Sequence, residues 1–374
     1  MKHLLTLITV LTLDACGGGG GSGPEGRSPA IASAETCATP QYLSVDDHRS
    51  AIVDLRFDHP SSDVNAQGQL VNSVDAVKTF VDRIKCVGFS TVILQTNTPI
   101  DPATGMLQLS KPLPSDFWKI VDYAKSKGLK VGVMALPVDH VNDNAILSIN
   151  HPKEFFNSLT TYKKQLAQMA ETHRVDIFYV GAWQLDLDTD QYSADWDHVI
   201  SQIRSVYKGK LTYLACPTCD NVVWGKVDYI SMSYDPDHIS ADIIRNISNK
   251  YNKKITIDVI NISTSSMTNA GGFIWNALMS GDINTITNAV NTADYALQAT
   301  RITAVFALGS TVRQHINGVA FGEYMPWSQA TWIQNAQPSQ VSYKYKLFDT
   351  LGFSLYNNIP AQATLKKSLS QPFN

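Results

Sequence analysis

Segments rich in β-branched residues alternate along the chain with segments in which apolar residues recur every three or four positions. The first kind of segment predicts strands and the second predicts amphipathic helices. Eight strands are predicted, at 51–58, 91–97, 130–138, 176–183, 210–216, 228–234, 255–262 and 302–308. Eight strand–helix units within about 300 residues indicate a single α/β domain, a (β/α)8 TIM barrel.

An open, doubly wound parallel sheet is the alternative architecture. Such a sheet normally carries a glycine-rich phosphate loop after its first strand. Here the first predicted strand ends in Asp58 and is followed by His59, Pro60 and Ser61, which do not form such a loop. The barrel is therefore the preferred prediction.

Residues that favour helix ends flank several of the predicted helices. Ser115 and Ser193 stand where an N-cap residue is expected. Gly88, Gly128 and Gly209 stand where a left-handed residue would end a helix. These positions support the alternation of strands and helices.

The N-terminus has the pattern of an export signal followed by a tether. A basic start precedes an apolar run at 4–13, which is too short to cross a bilayer. Residues 13–16, Leu-Asp-Ala-Cys, resemble a bacterial lipobox with Cys16 as the lipidated residue; an ordinary signal peptide is the alternative. We therefore expect a signal peptide at 1–15, a glycine-rich tether at 16–45 and the barrel at 46–374, anchored by lipid in the cell envelope, on the outer membrane.

Composition excludes several classes of protein. Of 374 residues, 44% are hydrophobic and 17% are charged, which is typical of a globular protein and not of a disordered one. The net charge is −3, so nothing in the charge balance favours a nucleic acid or a polybasic contact with lipid head groups. We expect neither a nucleic-acid partner nor a cofactor.

Two segments have a spacing found at metal sites. Cys216 and Cys219 form a CxxC pair, but a structural zinc needs two more ligands and no second pair is present. We expect a local disulfide or packed thiols there. The acidic run that begins at Asp186 is similar to a calcium loop, although Gln191 replaces the required glycine. An acidic helix N-terminus is the preferred interpretation, and no metal is predicted.

Polar residues alternate with apolar ones in several predicted strands, although parallel strands covered on both faces are usually apolar throughout. Uncompensated burial of polar groups costs a few kcal/mol each, so these side chains either satisfy one another or face a solvated pocket. We expect a pocket at the C-terminal mouth of the barrel. The polar set comprises Asp54, Arg56, Asp58, Gln95, Asn97, Asp235 and Asp258.

Several segments resemble glycoside hydrolase family 113, a family of (β/α)8 enzymes that are mainly β-mannanases. The similarity is carried by 203–209, 211–215 and 227–231, which correspond to the fourth helix through the sixth strand. The segment 180–185 is similar to the Gly-Thr-Glu-Leu motif of the family's fourth strand, and 255–259 falls at its seventh strand. The resemblance covers about 70–263 and implies the barrel fold and a polysaccharide substrate.

The resemblance also implies which positions carry the chemistry. In that family a Glu on the fourth strand is the general acid/base and a Glu on the seventh is the nucleophile; the matching positions here are Gln184 and Asp258. Glutamine cannot donate the proton that a leaving sugar oxygen needs. Of the 33 acidic residues only five are Glu, and of these only Glu323 follows the last predicted strand.

Asp186 is the best substitute for the missing acid. Strand alternation would put it on the same side as Gln184, one layer further out. A pair of Asp186 and Asp258 has shorter side chains than two Glu, which favours the wider carboxyl separation of inverting enzymes, roughly 6.5–9.5 Å, unless the acid comes from a loop.

The functional prediction is a cell-envelope glycoside hydrolase that cleaves a polysaccharide with two carboxylates. Asp258 would be the nucleophile or base and Asp186 the acid. The aromatic residues Trp183, Tyr234 and Trp327 fit sugar faces or, equally, the core, and His140 could contact a hydroxyl. The polar set and Gln184 complete the expected substrate contacts. The alternative is a catalytically inactive barrel lipoprotein that binds or helps export a surface glycan.

Overall fold

The computed structural model describes residues 47–55, 74–101, 104–107, 113, 115–139, 149–217, 221–234, 239–259, 294–324 and 360–371. All of them lie in one compact unit, 37–374. The N-terminal signal, tether and Cys16 lie outside the described residues, so those expectations stay predictions. None of the described helices combines the length and the apolar character needed to cross a bilayer.

Eight parallel strands form a closed barrel in which each strand pairs with its neighbour in sequence and β1 pairs with β8. The (β/α)8 barrel predicted from the sequence is therefore confirmed. The strands are β1 (His48–Asp54), β2 (Thr91–Ile100), β3 (Lys130–Asp139), β4 (Ile177–Ala182), β5 (Lys210–Ala215), β6 (Tyr229–Ser233), β7 (Ile255–Val259) and β8 (Ile316–Tyr324).

Helices surround the barrel and pack their apolar faces against the strands. Within the described ranges they are α1 (Val74–Val87), α2 (Ser115–Ser126), α3 (Pro152–Thr172), α4 (Ser193–Arg204), α5 (Ala241–Tyr251), α6 (Tyr295–Thr311) and α7 (Pro360–Leu369). Short 3-10 turns lie at Leu185–Leu187, Asp190–Tyr192, Val222–Gly225 and Arg313–His315.

The prediction of a strand at 302–308 is wrong, because this segment lies inside α6 and the eighth strand follows it. Ile302 and Val305 are buried while Thr303 and Ala304 between them are exposed, which is helical spacing. The β-branched residues concealed this period. The true strand β8 contains Asn317 and two glycines, which weaken a strand pattern.

The predicted helix ends are partly confirmed. Gly88 and Gly128 have φ of 112° and 78°, the left-handed conformation expected after a helix. Gly209 does not, because α4 ends five residues earlier and Gly209 leads directly into β5. Ser115 and Ser193 are the first residues of α2 and α4; the cap position of α4 is occupied by Tyr192, which makes no side-chain capping bond.

Among the described residues, the buried apolar side chains form two clusters: an outer cluster between the barrel and its helices, and an interior cluster inside the barrel. Strand alternation divides the side chains between them. In β7, Ile255, Ile257 and Val259 belong to the outer cluster, so Thr256 and Asp258 face the interior. The alternation predicted for this strand is present, and it places a carboxyl inside the barrel.

Candidate functional site

Asp258 lies near the C-terminal end of β7, level with Ser233 of β6 and Ala320 of β8. Its side chain is fully buried. Neither carboxyl oxygen has a hydrogen-bond partner among the described residues. Burial raises the pKa of Asp258 well above its usual value, and the nearby Ser231 hydroxyl, which lies outside hydrogen-bonding geometry, offsets the increase only in part.

Hydroxyl groups from three strands lie in the interior beside Asp258. Thr212 donates to the Ser231 hydroxyl at 3.1 Å, and Ser231 donates to the Tyr179 hydroxyl at 3.3 Å. Burial raises the pKa of Tyr179 well above its usual value, and the charge of Asp258 adds to the increase. Within the described residues these hydroxyls bond to one another and none of them bonds to the carboxyl of Asp258, which can therefore accept hydrogen bonds from a ligand.

The segment after β4 departs from strand geometry at once. β4 ends at Ala182, and Trp183 has φ of 52°, in the left-handed region. The ring of Trp183 is half-buried and packs against the cluster inside the barrel. The next side chain, Gln184, is buried; its amide donates to the Ala182 carbonyl, and the Tyr213 hydroxyl lies 3.4 Å from its oxygen.

Tyr213 belongs to the outer cluster, so the side chain of Gln184 lies between the barrel and α4. It is Trp183, and not Gln184, that contacts the interior cluster. Gln184, the position matched to the family's acid/base, therefore does not direct its side chain into the mouth of the barrel, as a residue of a continuing strand would. The left-handed turn at Trp183 is the physical reason.

Asp186 is exposed, within the 3-10 turn Leu185–Leu187. The expectation that strand alternation would set it on the same side as Gln184 is wrong, because the strand has already ended. Its exposed carboxyl can contact a ligand from solvent. Because β4 ends at Ala182, strand geometry does not set the distance between Asp186 and Asp258. The predicted calcium-like run continues through the turn Asp190–Tyr192 into α4.

Asp188 is a buried acid that the sequence reading did not single out. Its two oxygens accept hydrogen bonds from the Tyr213 hydroxyl at 2.5 Å and from the Asn221 amide at 2.9 Å. Burial raises its pKa to about 7, although both hydrogen bonds act to lower it. No local pattern marks Asp188 as buried, because its neighbour Leu187 is buried as well and the two do not alternate.

Lys163 of α3 is a second buried charge that the sequence reading missed. Its ammonium donates to the backbone carbonyls of Ala135 in β3 and Tyr179 in β4, at 2.8 and 3.1 Å. It also lies 5.6 Å from the centre of the Phe178 ring. Burial lowers the pKa of Lys163 to about 7. The group bridges two strands whose ladder pairing ends at Met134 and Tyr179.

The remaining predicted site residues are placed as follows. Gln95 is buried on β2, level with Asp54 of β1. Tyr234 is buried and packs in the outer cluster, while its backbone amide donates to the Asp258 carbonyl at 2.7 Å. Asp54 and Asn97 lie on β1 and β2, and their side chains are outside the description, as is that of Glu323 on β8. Outside the described residues lie Arg56, Asp58, His140, Asp235 and Trp327.

No group of three His, Cys, Asp or Glu side chains suited to a metal ion occurs in the described part of the chain. Cys86 and Cys216 are each in a disulfide. Cys219 lies outside the described residues.

Comparison with known proteins gives a consistent set of similarities. The sequence model of Glycoside Hydrolase Family 113 matches residues 106–272, a range that contains β3 to β7 and therefore both Gln184 and Asp258. No curated protein sequence matches this chain.

Solved structures of family 113 mannanases share the fold. A GH113 β-1,4-mannanase determined as a complex has 15% sequence identity and a TM-score of 0.61, over 87% of this chain and 99% of its own. The GH113 β-mannanase AaManA from Alicyclobacillus acidocaldarius, in complex with ManMIm, has 14% identity and a TM-score of 0.58, over 87% and 97%. At these identities the likeness shows a common (β/α)8 fold along nearly the whole of each relative.

Proposed function

We propose that this protein is a glycoside hydrolase that cleaves a β-linked polysaccharide at the C-terminal mouth of its barrel. The observation that carries the proposal is Asp258, a buried carboxyl without a hydrogen-bond partner among the described residues, inside the barrel on β7. The family match across β3 to β7 supports the reaction class.

A structural role explains Asp258 poorly. Leaving a buried polar group unsatisfied costs roughly 1–3 kcal/mol, and buried carboxyls that serve only the fold are normally paired. Asp188 illustrates the paired case, with a partner on each oxygen. A carboxyl with a raised pKa and no partner in the described part of the chain, inside a TIM barrel near a strand's C-terminal end, is typical of a reacting group.

The solved relatives support the proposed substrate class. The matched solved structures are described as β-1,4-mannanases and a β-mannanase. A β-1,4-linked mannan is therefore the first substrate to test. The interior offers what a sugar needs, namely buried hydroxyls beside the carboxyl and the half-buried ring of Trp183.

In the proposed reaction Asp258 acts as the base or nucleophile and Asp186 as the acid. As a base, Asp258 takes a proton from the attacking water, while Asp186 gives its proton to the leaving glycosidic oxygen. Gln184 takes no part in proton transfer, because a carboxamide has no acidic proton and its side-chain amide donates to the Ala182 carbonyl. The exposed turn that carries Asp186 supplies the acid from a loop.

The direct test is reducing-end release from a panel of β-1,4-mannan, glucomannan, xylan and β-1,4-glucan. We expect the wild type to release ends from mannan and Asp258→Asn to be about a thousandfold slower. Wild-type binding of β-1,4-mannohexaose without any release would instead support a glycan-binding protein without hydrolytic activity. Equal rates for wild type and variant would refute the role of Asp258.

The stereochemistry of the product tests the two-carboxylate scheme. We expect NMR of the first product to show inversion at the anomeric carbon, because with Asp258 as the base a water attacks directly and no covalent intermediate forms. A retained anomer, with Asp186 and Asp258 as the only essential carboxyls, would rule out the inverting scheme.

We also propose that the mature protein is lipid-anchored through Cys16 in the cell envelope, on the outer membrane. The lipobox-like residues before Cys16 and the glycine-rich segment after it support this location. Cys16→Ser should move the protein from the membrane fraction to the soluble fraction of fractionated cells. An unchanged distribution would refute the anchor.

A further inference from the structure

The left-handed backbone at Trp183 has no helix-end explanation. Among the described residues three non-glycine positions have positive φ: Arg174, Trp183 and Asn252. Arg174 follows the end of α3 and Asn252 is the C-cap of α5, where this conformation is common. Trp183 instead follows a strand. A bulky residue there costs of order 1–2 kcal/mol, and such strain concentrates at functional sites.

Hydrogen bonds from β5 hold the turn in this conformation. The Trp183 amide donates to the Leu214 carbonyl at 3.0 Å. The Gln184 amide donates to the Tyr213 hydroxyl at 3.1 Å. Within the described residues, the Tyr213 hydroxyl is therefore the one side-chain group that accepts a hydrogen bond from the backbone immediately after Trp183.

Asp188 fixes the orientation of the Tyr213 hydroxyl. Tyr213 donates its own proton to Asp188, so a lone pair of the Tyr213 oxygen remains available to accept from the backbone N–H of Gln184. The second oxygen of Asp188 is held by Asn221, whose side-chain oxygen accepts from the amides of Val223 and Trp224. The turn after β4 is therefore tied to the segment after β5.

We propose that Asp188, acting through Tyr213, is a positioning residue that holds the ring of Trp183 at the mouth of the barrel as the surface on which a sugar ring packs. This inference deepens the proposed function and rests on it for the identity of the ligand. Its structural content, the control of Trp183 by Asp188 and Tyr213, can be tested without any ligand.

The burial of Asp188 supports a positioning role. The side chain is fully buried, and its described hydrogen-bond partners, Tyr213 and Asn221, are both neutral. Two donors converge on it, so both of its oxygens must accept. An aliphatic residue of similar size would remove the acceptor of both hydrogen bonds, and the Tyr213 hydroxyl would no longer be held in the orientation that supports the turn at Trp183.

The test compares Tyr213→Phe and Asp188→Ala with Trp183→Ala, by calorimetric binding of β-1,4-mannohexaose. Tyr207→Phe is the matched control: it also removes a buried hydroxyl, one that donates to the Val175 carbonyl before β4. Trp183→Ala should weaken Kd about tenfold, the value of a lost ring contact of about 1.4 kcal/mol. Tyr213→Phe should weaken it several-fold, and Tyr207→Phe should leave it unchanged.

A double-mutant cycle separates positioning from general destabilisation. If Tyr213 acts through Trp183, Tyr213→Phe should have no further effect on Kd in the Trp183→Ala background. Additive losses would overturn the proposal, as would an unchanged Kd in both Tyr213→Phe and Asp188→Ala. If Asp188→Ala does not fold, Tyr213→Phe decides alone.

A ligand-free measurement keeps this inference separate from the proposed function. The fluorescence difference between each protein and its Trp183→Phe derivative reports the surroundings of Trp183. We expect that difference to change in Tyr213→Phe and not in Tyr207→Phe; no change would overturn the positioning role. A wild type that binds and hydrolyses no glycan would refute the proposed function while leaving this readout intact.

Discussion

Replacing Asp258 by Asn should change the pH dependence of stability in a defined direction. The substitution keeps the size and shape of the side chain and removes its ionisation. In the folded protein burial raises the pKa of Asp258 well above 3.8, the value that applies when the chain is unfolded. The difference between wild type and variant therefore isolates the titration of this one carboxyl.

The sign follows from proton linkage. A raised folded-state pKa gives a stability contribution that is complete below pH 3.8 and is lost as the pH rises through the folded-state pKa. Within that window one proton contributes a slope of about 1.4 kcal/mol per pH unit. Below the window the wild type and Asp258→Asn should unfold at similar temperatures. At neutral pH the variant should be more stable, by about 2 °C in Tm for each kcal/mol.

Thermal unfolding from pH 3.5 to pH 8 measures this difference. The matched control is Asp242→Asn, which removes an exposed carboxyl whose ion pair with Arg245 lies on the surface of α5. Its Tm should differ little from that of the wild type, because an exposed ion pair contributes at most about 1 kcal/mol. Parallel curves for wild type and Asp258→Asn would refute the conclusion that Asp258 is buried without compensation.

Three further outcomes are expected. Because Asp258 acts in its ionised form, kcat/KM on mannohexaose should fall as the pH drops below its raised pKa, so the acidic limb of the profile should lie well above 3.8; a limb near 3.8 would contradict the role. Lys163, with a folded-state pKa of about 7, should make the protein more stable as the pH rises from 7 towards 10.5, and urea unfolding should show that Lys163→Met abolishes this rise. Asp186→Asn should lower kcat at least about a hundredfold without changing Kd, whereas Asp190→Asn, in the next turn, should match the wild type in a reducing-end assay.

The barrel could be predicted because its signals are local and repeated. In β7 the alternation of Ile255, Ile257 and Val259 with Thr256 and Asp258 reflects two different surroundings on the two faces of the strand. The eighth strand was misplaced because β-branched residues in α6 favour strands locally, while packing of Ile302 and Val305 against the barrel favours the helix. Tertiary contacts therefore determine that this segment is helical.

The candidate site is harder to predict from the sequence than the fold. The period-two extrapolation from Gln184 to Asp186 required β4 to continue, and a single left-handed residue, Trp183, ended it. That conformation depends on Tyr213, 30 positions further along the chain from Trp183, and on its bond to Asp188. No local pattern contains a contact between distant segments, so neither the burial of Asp188 nor the turning of Gln184 could be anticipated.

The most direct measurement of the central claim is the difference infrared spectrum of the wild type minus Asp258→Asn over a series of pH values, recorded with and without saturating β-1,4-mannohexaose. We expect the protonated carboxylic-acid band of Asp258 in the free protein to persist to a pH well above 3.8, because burial disfavours the carboxylate. With the ligand bound the band should disappear at a lower pH, because sugar hydroxyls donate to Asp258 and lower its pKa. A band lost near pH 3.8 in the free protein, or a band that does not respond to the ligand, would contradict Asp258 as the buried carboxyl that meets the substrate.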